Sequence, residues 1–233
     1  MKRVSLISLG CPKNRVDSEV ILGLLAHHGL TPTASVEEAD VVIVNTCAFI
    51  QAAVQESIEV ILELAGEKTR GTIDTLVVTG CLPQRYGEAL AGEIPEVDLW
   101  TGTGDFHRIP HLLHEGALRV VVGKPRYLYD HHPPRIITTS PRSAYVKIAE
   151  GCSHPCTFCL IPRLRGSYRS RKMDSVVREV EQLVAGGVVE INLVAQDTTA
   201  YAAENGEEHG LARLLQALTR IEGLQWIRVL YTY

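Results

Sequence analysis

The stretch Glu150-Gly151-Cys152-Ser153-His154-Pro155-Cys156-Thr157-Phe158-Cys159 places three cysteines within eight residues of the chain. Four-iron clusters are held by cysteine thiolates, and three thiolates at this spacing can surround one cluster. Three ligands serve three of the four irons, so the fourth iron stays open to a group that is not protein. Catalytic metal centres keep an open position, whereas structural centres are closed. The stretch therefore predicts a reactive [4Fe–4S] cluster on Cys152, Cys156 and Cys159.

Two simpler interpretations of this stretch stay open. It could be a zinc knuckle that lacks its fourth ligand, or it could hold three free buried thiols. His154 could complete a zinc site, but it lies between two ligand cysteines and is badly placed to join their tetrahedron. The C-x3-C-x2-C spacing favours the cluster, as a hypothesis from a motif.

The other three cysteines each follow a short apolar run that reads as a buried parallel strand. The runs are Val4–Gly10 before Cys11, Val41–Thr46 before Cys47, and Leu76–Gly80 before Cys81. Each cysteine is followed by a helical pattern, at 18–28, 49–65 and 84–91. Alternating strands and helices predict an open, doubly wound α/β sheet, whose ligands bind at the carboxyl ends of the strands.

The positions of Cys11, Cys47 and Cys81 at three strand ends predict that they converge on one crevice and hold a second cluster. Disulfides are the first alternative, but they are not expected in a reducing compartment. The second alternative is three buried thiols that pack as small hydrophobic groups.

Composition sets limits on the class of protein. Of the 233 residues, 45% are hydrophobic and 21% are charged, the balance of an ordinary globular protein. No apolar run reaches membrane-spanning length, and Met1–Val4 leads into a strand without a signal peptide, so we expect a cytoplasmic protein. The net charge of −4 gives no drive towards nucleic acid, so direct binding of nucleic acid is not expected.

A local basic stretch surrounds Tyr168 and consists of Arg163, Arg165, Arg169, Arg171 and Lys172. This stretch is expected to form either a solvated face or a border of the active site.

Proline-rich sequence divides the chain into two predicted domains, residues 1–126 and 143–233, joined by a linker at 127–142. Within that linker, His131 and His132 fit a solvated pair better than a metal site. The first domain is expected to end with a strand at 97–102, a helix from about residue 105 and an edge strand at 117–122.

The second domain has the order βαβαβ, the first half of a parallel β/α barrel. Its strands are expected at 144–149, 189–194 and 225–230, and its helices at 175–185 and 211–221. Asp174 is expected to cap the first of these helices. Barrel active sites lie at the carboxyl ends of strands, where both the cysteine loop and Gln196-Asp197 fall.

Taken together, these motifs resemble the methylthiotransferases, a branch of the radical S-adenosylmethionine (SAM) superfamily. The resemblance covers nearly the whole chain and rests on runs around the six cysteines, such as Leu9–Asn14, Asn45–Cys47 and Gly80–Leu82. Within the family it is closest to the branch that modifies a ribosomal protein. Features typical of that branch are Pro12 after the first cysteine, Gln196-Asp197, and Trp226–Arg228 with Tyr231 and Tyr233.

The resemblance implies two [4Fe–4S] clusters and SAM as cofactors. Cys152, Cys156 and Cys159 would hold the cluster that cleaves SAM to a 5′-deoxyadenosyl radical. Cys11, Cys47 and Cys81 would hold an auxiliary cluster that carries the sulfur. Gln196 and Asp197 match the region that holds the SAM amino group.

The implied substrate is an aspartate β-carbon in ribosomal protein S-twelve, which would receive a methylthio group. The implied electron donor is a low-potential flavodoxin or ferredoxin. In the family the barrel continues and a small basic domain called TRAM follows, so the chain is expected to be a truncated version. The alternatives are the sister branch, which modifies an adenosine of transfer RNA, and a non-catalytic iron–sulfur fragment.

Overall fold

The computed structural model describes residues 2–116 and 119–233, whose contacts divide into two compact units. Unit 1 comprises the described part of residues 1–127 together with Pro134–Ile136. Unit 2 comprises Leu128–Pro133 and Ile137–Tyr233. The predicted domain limits at residues 126 and 143 stay predictions.

Unit 1 is built on a six-stranded parallel sheet in the order β2-β1-β3-β4-β5-β6. The strands are β1 (Arg3–Ser8), β2 (Thr31–Pro32), β3 (Val41–Thr46), β4 (Thr75–Gly80), β5 (Leu99–Thr101) and β6 (Val120–Val121). The helices are α1 (Pro12–His27), α2 (Gln51–Thr69), α3 (Cys81–Glu93) and α4 (Ile109–Glu115). This is the predicted α/β fold. Of the predicted edge strand, Ala117 and Leu118 lie outside the described residues.

The strand order places a topological switch point beside β1. The chain leaves β1 to form β2 on one side, then returns to form β3 on the other side. Such switch points open a crevice outside the carboxyl ends of the strands, where ligands of doubly wound folds bind. Cys11 and Cys47 follow the two strands that flank this point. The core strand β3 is buried at every position, as expected for a central parallel strand.

Helix α1 begins at Pro12, six residues before the predicted start at Ser18. Proline suits the first helical position because its φ is already helical and its missing N–H would have no partner there. The first turns are buried although they are polar: Asn14 is fully buried, and Asp17 is 3% exposed. Apolar periodicity therefore could not show where this helix starts.

Unit 2 contains a three-stranded parallel sheet in the order β11-β10-β7. The strands are β7 (Ser143–Lys147), β10 (Glu190–Val194) and β11 (Trp226–Val229), and the helices are α5 (Ile161–Arg165), α6 (Met173–Ala185) and α7 (Gly210–Leu218). This arrangement agrees with the predicted half of a β/α barrel.

Two local predictions in unit 2 are wrong. The strand expected at 144–149 is broken after Lys147. The residues that follow form β8 (Ala149–Glu150), which pairs antiparallel with β9 (Arg169–Ser170). Asp174 does not cap α6 because the capping position is Lys172, which leaves Asp174 in the first turn. A carboxylate there still interacts favourably with the positive end of the helix.

The segment between the two predicted domains carries no helix or strand at 122–142, but parts of it are firmly held. Arg135 forms an ion pair with Glu19 of α1 at 2.6 Å, and both side chains are more than nine-tenths buried. Ile136 N donates to Glu19 O at 3.0 Å. Gly23 of α1 leaves room for this segment, since a Cβ there would lie 2.1 Å from Pro134 O.

Within the described residues, no helix combines the length and the apolar character needed to cross a membrane.

Candidate cluster-binding sites

Asn14 ties together the strand ends that carry Cys11 and Cys47. Its amide nitrogen donates to Leu9 O at 3.1 Å and to Thr46 O at 2.8 Å. Its amide oxygen lies 3.9 Å from Cys11 Sγ, within reach of the thiol. The buried Asn14 side chain therefore fixes the loop after β1 against the end of β3. Its two backbone contacts lie just before Cys11 and Cys47.

Gly10 allows the loop that carries Cys11 to lie against Cys47. Its φ of 90° is a conformation that L side chains rarely adopt. A Cβ at Gly10 would stand 2.7 Å from Cys47 Cβ and 3.2 Å from Cys47 Sγ. The absence of a side chain at Gly10 is therefore what brings these two cysteines together.

A glycine directly before Cys81 likewise allows Cys81 to lie beside the end of β3. The φ of Gly80 is 99°, and a Cβ there would meet Asn45 Oδ1 at 2.4 Å and Thr46 O at 2.6 Å. Thr46 Oγ1 donates to Thr79 O at 2.6 Å and accepts from Leu82 N at 3.2 Å. The three cysteines predicted to converge thus lie at the carboxyl ends of three neighbouring strands.

The local electrostatics of this first group favour negative charge. Cys11 directly precedes the 16-residue helix α1, and Cys81 is the first residue of the 13-residue helix α3. Helix amino ends carry unpaired N–H groups and a positive partial charge. Three thiolates on an iron–sulfur cluster are an anionic group, so this donor set and its surroundings fit such a cluster.

The loop that carries Cys152, Cys156 and Cys159 follows β8, and Gly151, whose φ is 79°, connects the two. A Cβ at Gly151 would lie 2.2 Å from Ser167 O and 2.5 Å from Gly166 O, so no other residue fits without movement. Cys152 N donates to Gly166 O at 3.0 Å. The beginning of the cysteine loop is therefore packed directly against the backbone at 166–167.

Two further contacts hold the loop. Ser153 Oγ accepts a hydrogen bond from Tyr168 N at 3.0 Å. His154 Nε2 lies 2.7 Å from Asp197 Oδ2, and Asp197 Oδ1 accepts from Thr199 N at 3.0 Å. Burial alone would raise the pKa of Asp197, but hydrogen bonds from His154 and Thr199 outweigh it and lower the pKa. Sequence reasoning considered His154 only as a zinc ligand and missed this partnership, which no spacing rule could reveal.

Glu150, which precedes the loop, is a buried carboxylate surrounded by donors. It accepts from Lys147 Nζ at 2.5 Å, Arg165 Nη1 at 3.3 Å and Gln196 Nε2 at 3.2 Å. Burial would raise the pKa of Glu150, but the charges of Lys147 and Arg165 and these hydrogen bonds lower it to about 2. Glu150 thus stays ionised and fixes the orientation of the Gln196 amide, because a carboxylate can only accept.

Fixing the amide leaves Gln196 Oε1 as a buried acceptor with no partner among the described residues. Among the described residues, Arg169 Nε is likewise a buried donor without a partner. Burial lowers the pKa of Arg169, and nearby Glu150 acts in the opposite direction. Arg169 pairs with Glu150 in the ladder of β8 and β9, and Gln196 bonds the same residue. Both orphaned atoms therefore belong to the shell around Glu150, next to Cys152.

These two atoms fit the methionine part of SAM. Its ammonium group needs an acceptor and its carboxylate needs a donor, and buried polar groups are normally paired. Of the two predicted residues, Gln196 is the one with a buried acceptor that lacks a partner among the described residues. Both carboxylate oxygens of Asp197 already accept hydrogen bonds within the chain.

The basic stretch does not form one solvated face. Arg165 and Arg171 are 2% and 3% exposed, and they pair with Glu150 and Glu179 respectively. Arg169 is half-buried, whereas Arg163 and Lys172 are exposed. Arg165 and Arg169 lie beside Glu150, which precedes the cysteine loop, and the role of the stretch as a border of the active site stays a prediction.

Comparison with known proteins finds matches for both parts of the chain that carry cysteines. Residues 3–102 match the model described as "Uncharacterized protein family UPF0004", and residues 146–231 match the Radical SAM superfamily. A protein of Trichlorobacter lovleyi named "Ribosomal protein uS12 methylthiotransferase RimO" is 52% identical over 236 residues. Over its whole length the chain is similar to RimO-type radical SAM methylthiotransferases. Proteins of the same name from Geobacter sulfurreducens and Koribacter versatilis are 50% and 44% identical.

All of the chain aligns with these relatives, but it covers 53%, 53% and 55% of their lengths. The chain thus spans about half the length of the curated relatives it matches. The family confirms the predicted cofactors, SAM and [4Fe–4S] clusters. The number of clusters and their ligands stay predictions.

Solved structures are similar in fold. Two structures of TsrM from Kitasatospora setae, titled as a radical S-adenosylmethionine methyltransferase, superpose with a TM-score of 0.61. Their sequences are 15% and 17% identical to this chain. Each alignment includes 97% of this chain and 54% or 55% of the TsrM chain. At this identity the similarity confirms the α/β fold and nothing about the substrate.

Proposed function

We propose that this chain carries the cluster-binding and SAM-binding parts of an enzyme that methylthiolates ribosomal protein uS12. The target would be the β-carbon of an aspartate. Relatives about half-identical to the chain bear the name of this activity. The observation that carries the proposal is the convergence of Cys11, Cys47 and Cys81 at neighbouring strand ends, in addition to the cysteine loop. Sulfur insertion calls for a second cluster, whereas SAM cleavage alone needs one.

We assign Cys152, Cys156 and Cys159 to the cluster that binds SAM, and Cys11, Cys47 and Cys81 to an auxiliary cluster. When bound, these cofactors supply one-electron cleavage of SAM and the sulfur to be inserted, and the protein supplies position and electrostatics. The chain would also need a low-potential one-electron donor, a flavodoxin or a ferredoxin.

The residues around Glu150 would position SAM. Gln196 Oε1 would accept from the methionine ammonium, and Arg169 Nε would donate to the carboxylate. Glu150 would act indirectly by keeping the Gln196 amide turned. Asp197 is better assigned to holding the cysteine loop through His154 than to SAM itself. Oriented binding of this kind lowers the entropic cost of the reaction.

Metal analysis tests the two clusters. Anaerobically reconstituted chain should contain about eight irons, and the triple variant of Cys152, Cys156 and Cys159 to alanine about four. A triple variant of Cys11, Cys47 and Cys81 should also keep about four. Zinc in place of iron, or loss of all iron from either variant, would disprove the two-cluster assignment.

Activity assays test the roles of the clusters. Cys156→Ala should abolish 5′-deoxyadenosine formation, whereas Cys47→Ala should form it and yet transfer no sulfur. Methylthiolated product from Cys47→Ala would contradict the role of the auxiliary cluster.

The substrate is tested by mass spectrometry. The protein should add a methylthio group to one aspartate peptide of uS12 and should leave transfer RNA unmodified. Methylthiolated adenosine with unmodified uS12 would move the protein to the sister branch.

A further inference from the structure

Three consecutive side chains of unit 2 bring potential metal ligands together on an open surface cavity of about 480 Å³. They are Asp130, His131 and His132, and one ligand atom of each lies within 4.8 Å of those of the other two. Asp130 and His132 are exposed and His131 is half-buried, so an ion from solvent can reach the group. The sequence favoured a solvated pair for the two histidines and gave no sign that Asp130 joins them.

Asp130 and His132 already face each other at about the distance of two ligands of one ion. His132 Nδ1 lies 2.9 Å from Asp130 Oδ2. Two ligand atoms of one zinc ion, each about 2.1 Å from it, lie about 3.0–3.4 Å apart. The other carboxylate oxygen, Oδ1, accepts from His132 N at 3.0 Å, which fixes the orientation of the carboxylate. Burial alone would raise the pKa of Asp130, but the hydrogen bonds from His132 lower it, so the carboxylate is ionised at neutral pH.

His131 contributes a ring nitrogen whose hydrogen-bonding capacity is not used. Its Nδ1 is buried and has no partner in the part of the chain that the structure describes, whereas buried polar atoms are normally paired. The rings of His131 and His132 are 4.0 Å apart between centroids. Two protonated rings at this distance would repel each other, and neutral imidazole is the form that binds metal ions.

The residue directly before these ligands is firmly held in unit 2. Tyr129 is 3% exposed, and its hydroxyl donates to Glu179 at 3.2 Å and accepts from Lys147 N at 3.3 Å. The guanidinium of Arg171 lies 4.2 Å from the centroid of the Tyr129 ring. A ligand group that follows an anchored side chain loses less entropy when it closes around an ion.

The charges around the cavity allow a divalent cation. Asp174, in the first turn of α6, lines the same cavity, and its carboxylate offsets the positive amino end of that helix. The charge of Arg171 is balanced by its ion pair with Glu179. Lys172 and Arg178 are exposed, and their long stems can carry the charged ends into solvent.

We propose that Asp130, His131 and His132 form a binding site for one divalent transition-metal ion, with zinc as the representative. Imidazole and carboxylate are ligands that zinc accepts, and three of them leave the fourth tetrahedral position for water. The ion would replace the proton between His132 and Asp130 and would satisfy His131. It would stabilise the folded unit because it binds the ordered segment and not the unfolded chain.

Equilibrium dialysis of the cluster-loaded protein against Zn²⁺ tests the site, because the cysteines are then occupied by iron. Wild-type protein should bind one zinc ion beyond its iron. His131→Gln, His132→Gln and Asp130→Asn should each weaken zinc binding by at least about tenfold, the cost of losing even an outer partner of a metal ligand. No zinc binding by wild-type protein at submillimolar zinc, or wild-type affinity in all three variants, would overturn the proposal.

The matched control is a second pair of adjacent histidines. His27 and His28 are both exposed at the end of α1, and their rings are 5.7 Å apart between centroids. The double variant His27→Gln and His28→Gln should keep the wild-type affinity for zinc, whereas His131→Gln with His132→Gln should lose it. Equal losses in the two double variants would show binding to surface histidines in general and would contradict the site.

X-ray absorption at the zinc edge gives a readout that does not depend on any variant. Zinc bound to cluster-loaded wild-type protein should show nitrogen and oxygen neighbours at about 2.0–2.1 Å and no sulfur at about 2.3 Å. A sulfur shell would place the ion on cysteine and overturn the assignment. Zinc should also raise the melting temperature of wild-type protein and of the His27/His28 control, and should leave that of the His131/His132 double variant unchanged.

Discussion

His154 Nε2 and Asp197 Oδ2 lie 2.7 Å apart, which links the middle of the cysteine loop to the segment that follows β10. The Asp197 carboxylate is itself anchored, because Thr199 N and Thr199 Oγ1 donate to its other oxygen. Tyr168 OH donates to Asp197 O at 2.7 Å, and Tyr168 N contacts Ser153 of the loop. Loop and strand end thus form one hydrogen-bonded unit.

Removing the Asp197 carboxylate should loosen the cysteine loop. A charge-assisted hydrogen bond contributes about 1.5–3 kcal/mol, so Asp197→Ala should release iron from the Cys152 group several-fold faster. Iron release to a chelator is best followed in a background that lacks Cys11, Cys47 and Cys81. Asp197→Asn, which keeps one acceptor oxygen, should release iron at nearly the wild-type rate. Equal release from Asp197→Ala and wild type would contradict this role.

Gln196 should act on SAM and leave the loop unaffected. Gln196→Ala removes the buried acceptor, so the dissociation constant of SAM should rise at least about tenfold. Binding of radiolabelled SAM to cluster-loaded protein measures it. Gln182→Ala, on the exposed side of α6, is the matched control and should leave the dissociation constant of SAM unchanged. If Gln196→Ala kept its SAM affinity, another group would hold the ammonium.

Asn14→Asp should disrupt the first cysteine group. An ionised carboxylate cannot donate to Leu9 O and Thr46 O, and it would face both carbonyls while fully buried. We expect a loss of about 3 kcal/mol or more in the free energy of unfolding. Urea unfolding measures it, and exposed Asn205→Asp serves as control. A wild-type midpoint for Asn14→Asp would show that the bridge is dispensable.

Gly151→Ala should prevent the Cys152 group from holding its cluster. The added Cβ meets two carbonyl oxygens, whereas Gly187→Ala adds a Cβ at a similar positive φ of 97° with nothing within 4 Å. Gly187→Ala should therefore cost about 1–2 kcal/mol of backbone strain and keep all its iron. Gly151→Ala should lose about half of its iron. Equal iron contents in the two variants would refute the steric argument.

Tyr201 makes stability depend on alkaline pH. Burial raises its pKa from 10.0 to about 12, and the nearby charge of Arg171 opposes this shift only in part. The folded state therefore favours the neutral phenol, so its contribution is complete below pH 10 and is lost as pH rises towards 12. The free energy of unfolding should fall less steeply over this range in Tyr201→Phe. Urea unfolding at several pH values, with exposed Tyr233→Phe as control, measures the difference.

The sequence predicted the elements whose pattern is simple. The strands β1, β3, β4 and β10 are apolar runs bounded by polar residues, and they lie where expected. The start of α1 was missed because its first turns are polar and buried. The pair of β8 and β9 was missed because two-residue strands leave no periodic signal. The candidate ligands follow from cysteine spacing, but the orphaned atoms of Gln196 and Arg169 depend on contacts made only after folding.

The two groups of cysteines differ in how the chain must mature. Cys152, Cys156 and Cys159 are neighbours in sequence, so even an unfolded chain can offer all three thiols to incoming iron. Cys11, Cys47 and Cys81 are more than thirty residues apart, and they meet only after β1, β3 and β4 have paired. Contacts distant in sequence form late because loop closure must come first. When the complete chain refolds in the presence of iron, the local group would thus bind iron first, and the dispersed group would be filled only in an already folded sheet.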